Sequence, residues 1–551
     1  MKAIRNTLFC QNLVSSENML IKKWQATGCF AILLIIAVGL LLPRMGSYDY
    51  FPGKYLWAED GQIFINQAKS MGVSAIWQPY AGYLHLYPRI FAFIANYFEL
   101  IHRPIILFVG WFMAYLFMFV VLLQRAKQLG MGFIASLFLV VLVCLQPNYG
   151  ENFFNITNAQ WLLGVVFSVL VLTSNSQSFR LSIASVVLLL VLGLTGPFSI
   201  ILLPVLMLRS IVLKDFKNSW VYWVILGCAG VQAIVLINSG RAAPVGINTS
   251  IRDWYTAFRQ IALFGANSPG TKYAGQLFWG LLSIVIGQKY FSKYEKKHLK
   301  SLPGMFLFTA ALFVIASLYS MKNYPLGRVS IGGGNRYSWL PYVLVFFSAM
   351  YASNHRRILQ AVLFGLILFI CYINFHKVPQ SNLQFGSFAK FSDYQKVNIP
   401  IHPQWAVYPS WSIDVEPSRS QSFAELNKMD VDLNSFTASN ARLNLSEEGL
   451  LVDSNSNNPM LMPNNRFTCE NSTDVGLEIE INRSSEGWMQ VFFNSNPNFS
   501  EVKSLRRWYP SGLIKAQFAF PNESGGIYIR LDPSELPSKD KIAKITAYCL
   551  P

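Results

Sequence analysis

A chain of 551 residues that is 53% hydrophobic and only 13% charged carries about half the charge of an ordinary soluble domain, and its long apolar runs point to an integral membrane protein. The net charge of +17 reads as basic residues gathered in cytoplasmic loops, which excludes nucleic acid as the partner it would otherwise suggest. The seven cysteines show no Cys/His spacing of the kind that holds zinc.

In chain order, apolar runs near 26–43, 104–124, 131–147, 159–173, 181–195, 197–213, 219–238, 272–288, 302–320, 337–353 and 358–374 predict about eleven transmembrane helices. The first, "ATGCFAILLIIAVGLLLP", has no small-residue cleavage site before Pro43-Arg44 and reads as a retained anchor. The two runs beside "LTGPFS" are short, as in re-entrant or tilted segments. With eleven spans, Lys2, Arg5, Lys22, Lys23, Arg125, Lys127, Arg180, Lys214, Lys217, Lys289, Lys293, Lys296, Lys297, Lys300, Arg356 and Arg357 all fall on one side. The positive-inside rule makes that side the cytoplasm. The first loop, about 44–103, and everything after 375 then lie outside it.

That first loop contains "KYLWAEDGQIFINQA". Asp60-Gly61 before an apolar-periodic stretch suits a helix N-cap, and Glu59-Asp60 also suits a solvated loop pair. The competing reading is chemical. Trp57 and the amphipathic helix behind the acids would hold two carboxylates at the bilayer surface, as a general base or as ligands for a divalent cation such as Mg or Mn. "RIFAFIANYFEL" and, in a second outer loop, "IRDWYTAFRQIALFG" also have the spacing of helices lying along a membrane.

A short outer loop, "GENFFNITNAQW", concentrates Glu151, Asn155, Asn158 and Gln160. These residues either cap the helices around them or form a polar wall for a hydroxyl-rich substrate. Basic residues on the outer face run against the topology bias: His85 and Arg89 in "YLHLYPRI", Arg241 in "NSGRAAP", and Lys322, Arg328 and Arg336 in "KNYPLGRVSIGGGNRYSWLP". Snorkelling and salt bridges account for such residues; so does phosphate binding, which the planar guanidinium fork matches. Arg336 follows three glycines and adjoins Tyr337.

After residue 375 the composition turns polar. The stretch 375–460 reads as an irregular linker. From 461 to 551, "VGLEIEINR", "GWMQVFFNS", "GLIKAQFAF" and "GGIYIRLDP" alternate as short strands of a β-sandwich. Cys469 and Cys549 bracket it on the oxidising side, where a disulfide is expected. Trp488 and Trp508 suit either its core or stacking on sugar.

The segments "WAEDG", "NITNAQW", "TGPFS" and "NRYSWLP" are similar to segments of bacterial proteins of the GT-C superfamily, membrane glycosyltransferases that use polyprenyl-phosphate sugars. Among these are phage-type O-antigen glucosyltransferases that modify lipopolysaccharide. The resemblance covers the membrane part, 1–374. It implies an all-α polytopic, GT-C-like catalytic domain in a bacterial inner membrane, with a cytoplasmic N-terminus and a periplasmic β-sandwich. It implies transfer of a hexose such as glucose from a polyprenyl-phosphate donor to a glycan or lipopolysaccharide acceptor, with a flippase and a polyprenyl-phosphate sugar synthase as companions. Carried over residue by residue, the family's first-loop carboxylate falls on Asp60, with Glu59 beside it. An O-antigen polymerase or ligase, and a lipid or glycan transporter, are the rival readings. A transporter calls for ionisable groups inside the spans, and the apolar runs hold few.

Overall fold

A computed structural model describes residues 27–45, 52–147, 151–173, 182–213, 220–239, 250–265, 268–291, 297–320, 336–374, 382–404, 406, 410–417, 427–522 and 525–551. The chain divides into two compact units. One is helical and comprises residues 1–46, 77–88 and 110–378; the other comprises 47–76, 89–109 and 379–551. This corrects the expected boundary at 374, because most of the first loop belongs to the compact unit that carries the C-terminal strands.

Helices occur at each of the eleven apolar runs. Among the described residues, however, four are long and apolar enough to cross a membrane: Thr27–Met45, Leu100–Gln128, Trp220–Asn238 and Leu299–Ser320. The expected count of eleven is corrected accordingly. Ala159–Thr173 has 15 residues and Ile183–Gly193 has 11; at 1.5 Å per residue they rise about 23 and 17 Å, short of a ~30 Å hydrocarbon core. Every residue of 159–172 is buried within the protein, so that run is apolar because other helices surround it. Lipid-like surroundings suit Trp220–Asn238 instead, where Trp223, Ile234 and Ile237 are exposed. Ile251–Ala262 begins with a capping box between Ser250 and Asp253 and exposes Ile251, Tyr255 and Phe258. These recur at helical spacing, as on a helix that lies on a membrane.

In the other unit the strands are β1 (Val397–Pro400), β2 (Ser412–Val415), β3 (Lys428–Asp430), β4 (Phe436–Ser439), β5 (Arg442–Ser446), β6 (Gly449–Ser454), β7 (Met460–Pro463), β8 (Phe467–Thr468), β9 (Asp474–Arg483), β10 (Gly487–Asn494), β11 (Ser504–Tyr509), β12 (Gly512–Pro521), β13 (Gly526–Asp532) and β14 (Ser538–Leu550). One sheet runs β11-β10-β13-β7-β4, with β8 on β13; the other runs β12-β9-β14-β6-β5, with β3 on β14. Inward residues of the two sheets meet in a β-sandwich core, where Phe493 stacks on Phe520 at 4.8 Å. The sandwich thus begins near 428, and the linker expected over 375–460 contains β1–β6. Those strands are short, and β5 is mostly exposed, so no strong alternation marks them.

Cys469 and Cys549 are joined, with Cα atoms 5.4 Å apart. A helix, Phe385–Phe391, is bound to the sandwich through Asp474, which accepts from Ser387 Oγ at 2.5 Å and Lys390 Nζ at 2.7 Å. Phe391 fills the space over Gly476, where a Cβ would come within 2.7 Å of its ring.

On β13, Asp532 is 4% exposed and accepts both forks of Arg530 at 2.9 Å. Burial outweighs this pairing and raises its carboxyl to about 6, above the ~3.9 of an unfolded chain. Between about pH 4 and 6 the folded state therefore binds more protons than the unfolded one, so stability falls as pH rises through this window, by up to about 3 kcal/mol. The melting transition of the sandwich should drop between pH 4 and 6.5 by more in the wild type than in Asp532→Asn. Equal drops would show that Asp532 does not carry the effect.

Candidate functional site

The acid pair lies in a helix that begins at Ala58 and runs to Met71, with a π-helical stretch over Asp60–Ile65. Glu59 already has helical backbone angles and makes no side-chain cap hydrogen bond. Asp60 is 2% exposed. The pair is therefore neither a helix cap nor a solvated loop pair. π-Stretches widen a turn locally and recur at functional positions; here the widened turn starts at the acid.

Long-range pairing holds this turn in place. His402 donates its N–H to Leu56 O at 3.0 Å and accepts from Ala58 N at 2.5 Å, so Trp57 and His402 form a parallel bridge. Gly61 sits against the hairpin of β1 and β2: a Cβ there would meet Ile401 Cδ1 at 2.8 Å and Ile413 Cγ2 at 3.2 Å. The hairpin is in turn tied to the sandwich by Arg507, which donates to Asn398 Oδ1 at 2.6 Å and to Asn398 O at 3.1 Å. Trp57 thus has a structural part in holding the acid helix.

Arg89 belongs to the same unit and is 1% exposed. Its Nη1 donates to Gln67 Oε1 at 2.5 Å, and its guanidinium lies 4.6 Å over the Phe64 ring. Phe64 and Gln67 follow Asp60 by four and seven residues, on one side of its helix. Nε and Nη2 of Arg89 have no hydrogen-bond partner among the described residues. Burial is the cause that pushes this guanidinium down to about 10.

The other candidates lie in the helical unit. Asn155 Nδ2 and Asn158 Nδ2 both donate to Glu151 O at 2.6 Å, and Asn155 Oδ1 accepts from Asn158 N at 2.9 Å. These hydrogen bonds fold the loop that leads into Ala159–Thr173 and engage both amide nitrogens and Asn155 Oδ1. Glu151 faces Arg336 at 3.9 Å. The Arg336 guanidinium lies 5.3 Å over Tyr337, and Tyr337 meets Trp161 edge-on at 5.3 Å. His85 is buried, stacks on Tyr83 at 4.5 Å, has Nε2 3.2 Å from Tyr80 O and pairs with Thr195 as an isolated bridge. Arg241, Arg328 and Lys322 lie outside the described residues.

Arg44 is a further buried cation of this unit. It donates to Cys144 O at 3.1 Å and Gln146 O at 2.7 Å and lies 4.6 Å over Phe153. It thereby neutralises the carbonyl end of Phe133–Leu145 and steadies the loop that follows. The signal that marks the other arginines, a basic residue at an outer helix end, marks Arg44 as well.

Among the described residues no group of three or more His, Cys, Asp or Glu could hold a metal ion. Glu59 and Asp60 by themselves supply too few ligands for a protein cage, so a divalent cation there would need substrate phosphate oxygens as well. On the sandwich, Trp488 lies opposite Trp508 in the β10–β11 register, and the Arg506 guanidinium is 4.6 Å over the Trp488 ring.

No family model matches the chain, and no curated protein matches it in sequence. Solved structures similar to part of it include the C-terminal CBM6 of LamC, a marine laminarinase from Zobellia galactanivorans, at 12% identity over 22% of this chain and 99% of that one, TM-score 0.19. A family 35 carbohydrate-binding module from Clostridium thermocellum matches at 13% identity over 22% and 96%, TM-score 0.19. The module CBM6cm-2 of Cellvibrio mixtus lichenase 5A, in complex with cellotriose, matches at 9% over 22% and 95%, TM-score 0.18. Likenesses this weak have no bearing on function.

Proposed function

We propose that this protein is an inner-membrane glycosyltransferase that moves a hexose from a polyprenyl-phosphate donor to a cell-surface glycan on the periplasmic face. The observation that carries the reading is a buried, incompletely partnered guanidinium, Arg89, against the helix that carries the buried acid pair. A buried charge with no counter-charge among the described residues costs several kcal/mol, so such a group suits an anion, and the two oxygens of a phosphate match Nε and Nη2, which have no partner among the described residues. In the proposed step the acceptor hydroxyl attacks the anomeric carbon and loses its proton to Asp60. The bond from that carbon to the phosphate oxygen breaks, and the phosphate leaves with the electron pair while Arg89 stabilises its charge. One displacement inverts the anomeric centre. The four apolar helices support a membrane setting, and the disulfide supports an oxidising compartment for the sandwich.

Arg89→Met tests the assignment, because the methionine keeps much of the volume and removes the charge. In isolated membranes supplied with polyprenyl-phosphate glucose, transfer should fall by about 10- to 50-fold. Thermal stability should hold or rise, since an uncompensated buried charge has gone. Lower stability with unimpaired transfer would make Arg89 a structural residue and remove the main support for the reading.

A further inference from the structure

We infer that the helical unit carries a second, separate binding site, for the hydroxyl groups of a sugar, built from Asn152, Gln160 and Trp161. All three residues are buried, at 1%, 4% and 6% exposure. Asn152 Oδ1, Gln160 Oε1 and Trp161 Nε1 have no hydrogen-bond partner among the described residues. Buried side-chain polar atoms are rarely left so, and each exception calls for an explanation, of which a bound group is one. In a protein that lies in lipid the penalty is larger, because no bulk water is at hand.

The three residues belong to one neighbourhood. Trp161 contacts Phe198 at 5.4 Å and Tyr337 at 5.3 Å between ring centres. Asn152 Nδ2 reaches Arg336 O at 3.5 Å, on the residue before Tyr337. Gly196 backs the Gln160 amide: its φ is +87°, and a Cβ would come within 2.8 Å of Phe198 Cε2 and 3.0 Å of Gln160 Oε1. Only glycine lets the turn pass this close to the two side chains. Gln232 Nε2 holds the turn by donating to Gly196 O at 3.0 Å.

The chemistry selects the ligand class. Two free acceptors and one free donor are wanted by a partner that both gives and takes hydrogen bonds; hydroxyl groups do both. None of the three side chains is charged, so a phosphate alone would leave the two acceptors unsatisfied. The aromatic rings of Trp161, Phe198 and Tyr337 add apolar surface of the kind a sugar ring's C–H face covers. The amide nitrogens of the adjacent Asn155 and Asn158 are engaged in the loop. The site is thus smaller than the amide-rich loop suggests, and it draws on Trp161, which the run of amides conceals.

The choice of probe rests on the transferase reading; the site itself rests on the three unsatisfied atoms. Binding to the full-length protein in lipid nanodiscs would be measured with a radiolabelled gluco-oligosaccharide, with polyprenyl-phosphate glucose and with sugar-free polyprenyl phosphate. Gln160→Leu and Trp161→Phe should each weaken the gluco-oligosaccharide about tenfold and leave the sugar-free lipid unchanged. Arg89→Met should weaken both lipids and leave the oligosaccharide unchanged, so failure of the phosphate assignment and failure of the sugar site are read separately. If the free oligosaccharide binds and loses affinity in the same two variants, the site stands and takes the acceptor sugar. If both variants bind every sugar-bearing probe as the wild type does, the site holds water only and the inference is overturned. Trp161→Phe keeps the ring packing, so a folding defect in Gln160→Leu does not blunt the test.

Discussion

In membranes carrying Asp60→Asn, transfer of glucose from polyprenyl-phosphate glucose to the acceptor glycan is expected to fall by at least ~100-fold, as on loss of a general base. The substitution is nearly isosteric at a position that is 2% exposed, so the helix and its pairing with His402 should survive. Insertion and expression should therefore be unchanged. Glu59→Gln should be milder, because Glu59 stands one residue before the π-helical stretch that begins at Asp60. If Glu59→Gln alone abolished transfer, the two roles would be exchanged and the site would stand. Full activity in both variants would sink the mechanism.

Loss of the Cys469–Cys549 bond should have the other large effect, on stability. The bond closes a loop of 80 residues that contains β9 to β14, and so most of both sheets. By the chain-entropy account, removing such a closure costs about 4 kcal/mol. For a domain of this size, that lowers the melting transition by an order of 15 °C. Reduction, or Cys549→Ser, should produce that shift in the sandwich transition. Both cysteines are buried, so thiol labelling must be done in denaturant without reductant. Neither should label there; labelling of both would show that the bond does not form.

Local sequence determined much of this protein. The alternation of "VGLEIEINR" buries Val475, Leu477, Ile479 and Ile481 in β9, because a strand's side chains alternate strictly between faces. The apolar runs mark the helices, since any segment that must bury its backbone polar groups away from water satisfies them within itself. Asp60, Arg89 and Gln160 were visible as polar residues out of place in apolar surroundings.

Tertiary structure decided the rest. Whether an apolar run meets lipid or protein is not written in its composition: Ala159–Thr173 reads as a span, yet neighbouring helices bury it and it is too short to cross. The allegiance of the acid helix depends on His402, Ile401 and Ile413, which are remote in sequence and meet it only through chain pairing. The same holds for the amides of "NITNAQW". Which of them faces a ligand depends on which partner each can reach: the Asn155 and Asn158 amide nitrogens found Glu151 O, and among the described residues the Gln160 amide oxygen found no donor. A hydrogen bond is a statement about distance in space, and separation along the chain does not contain it.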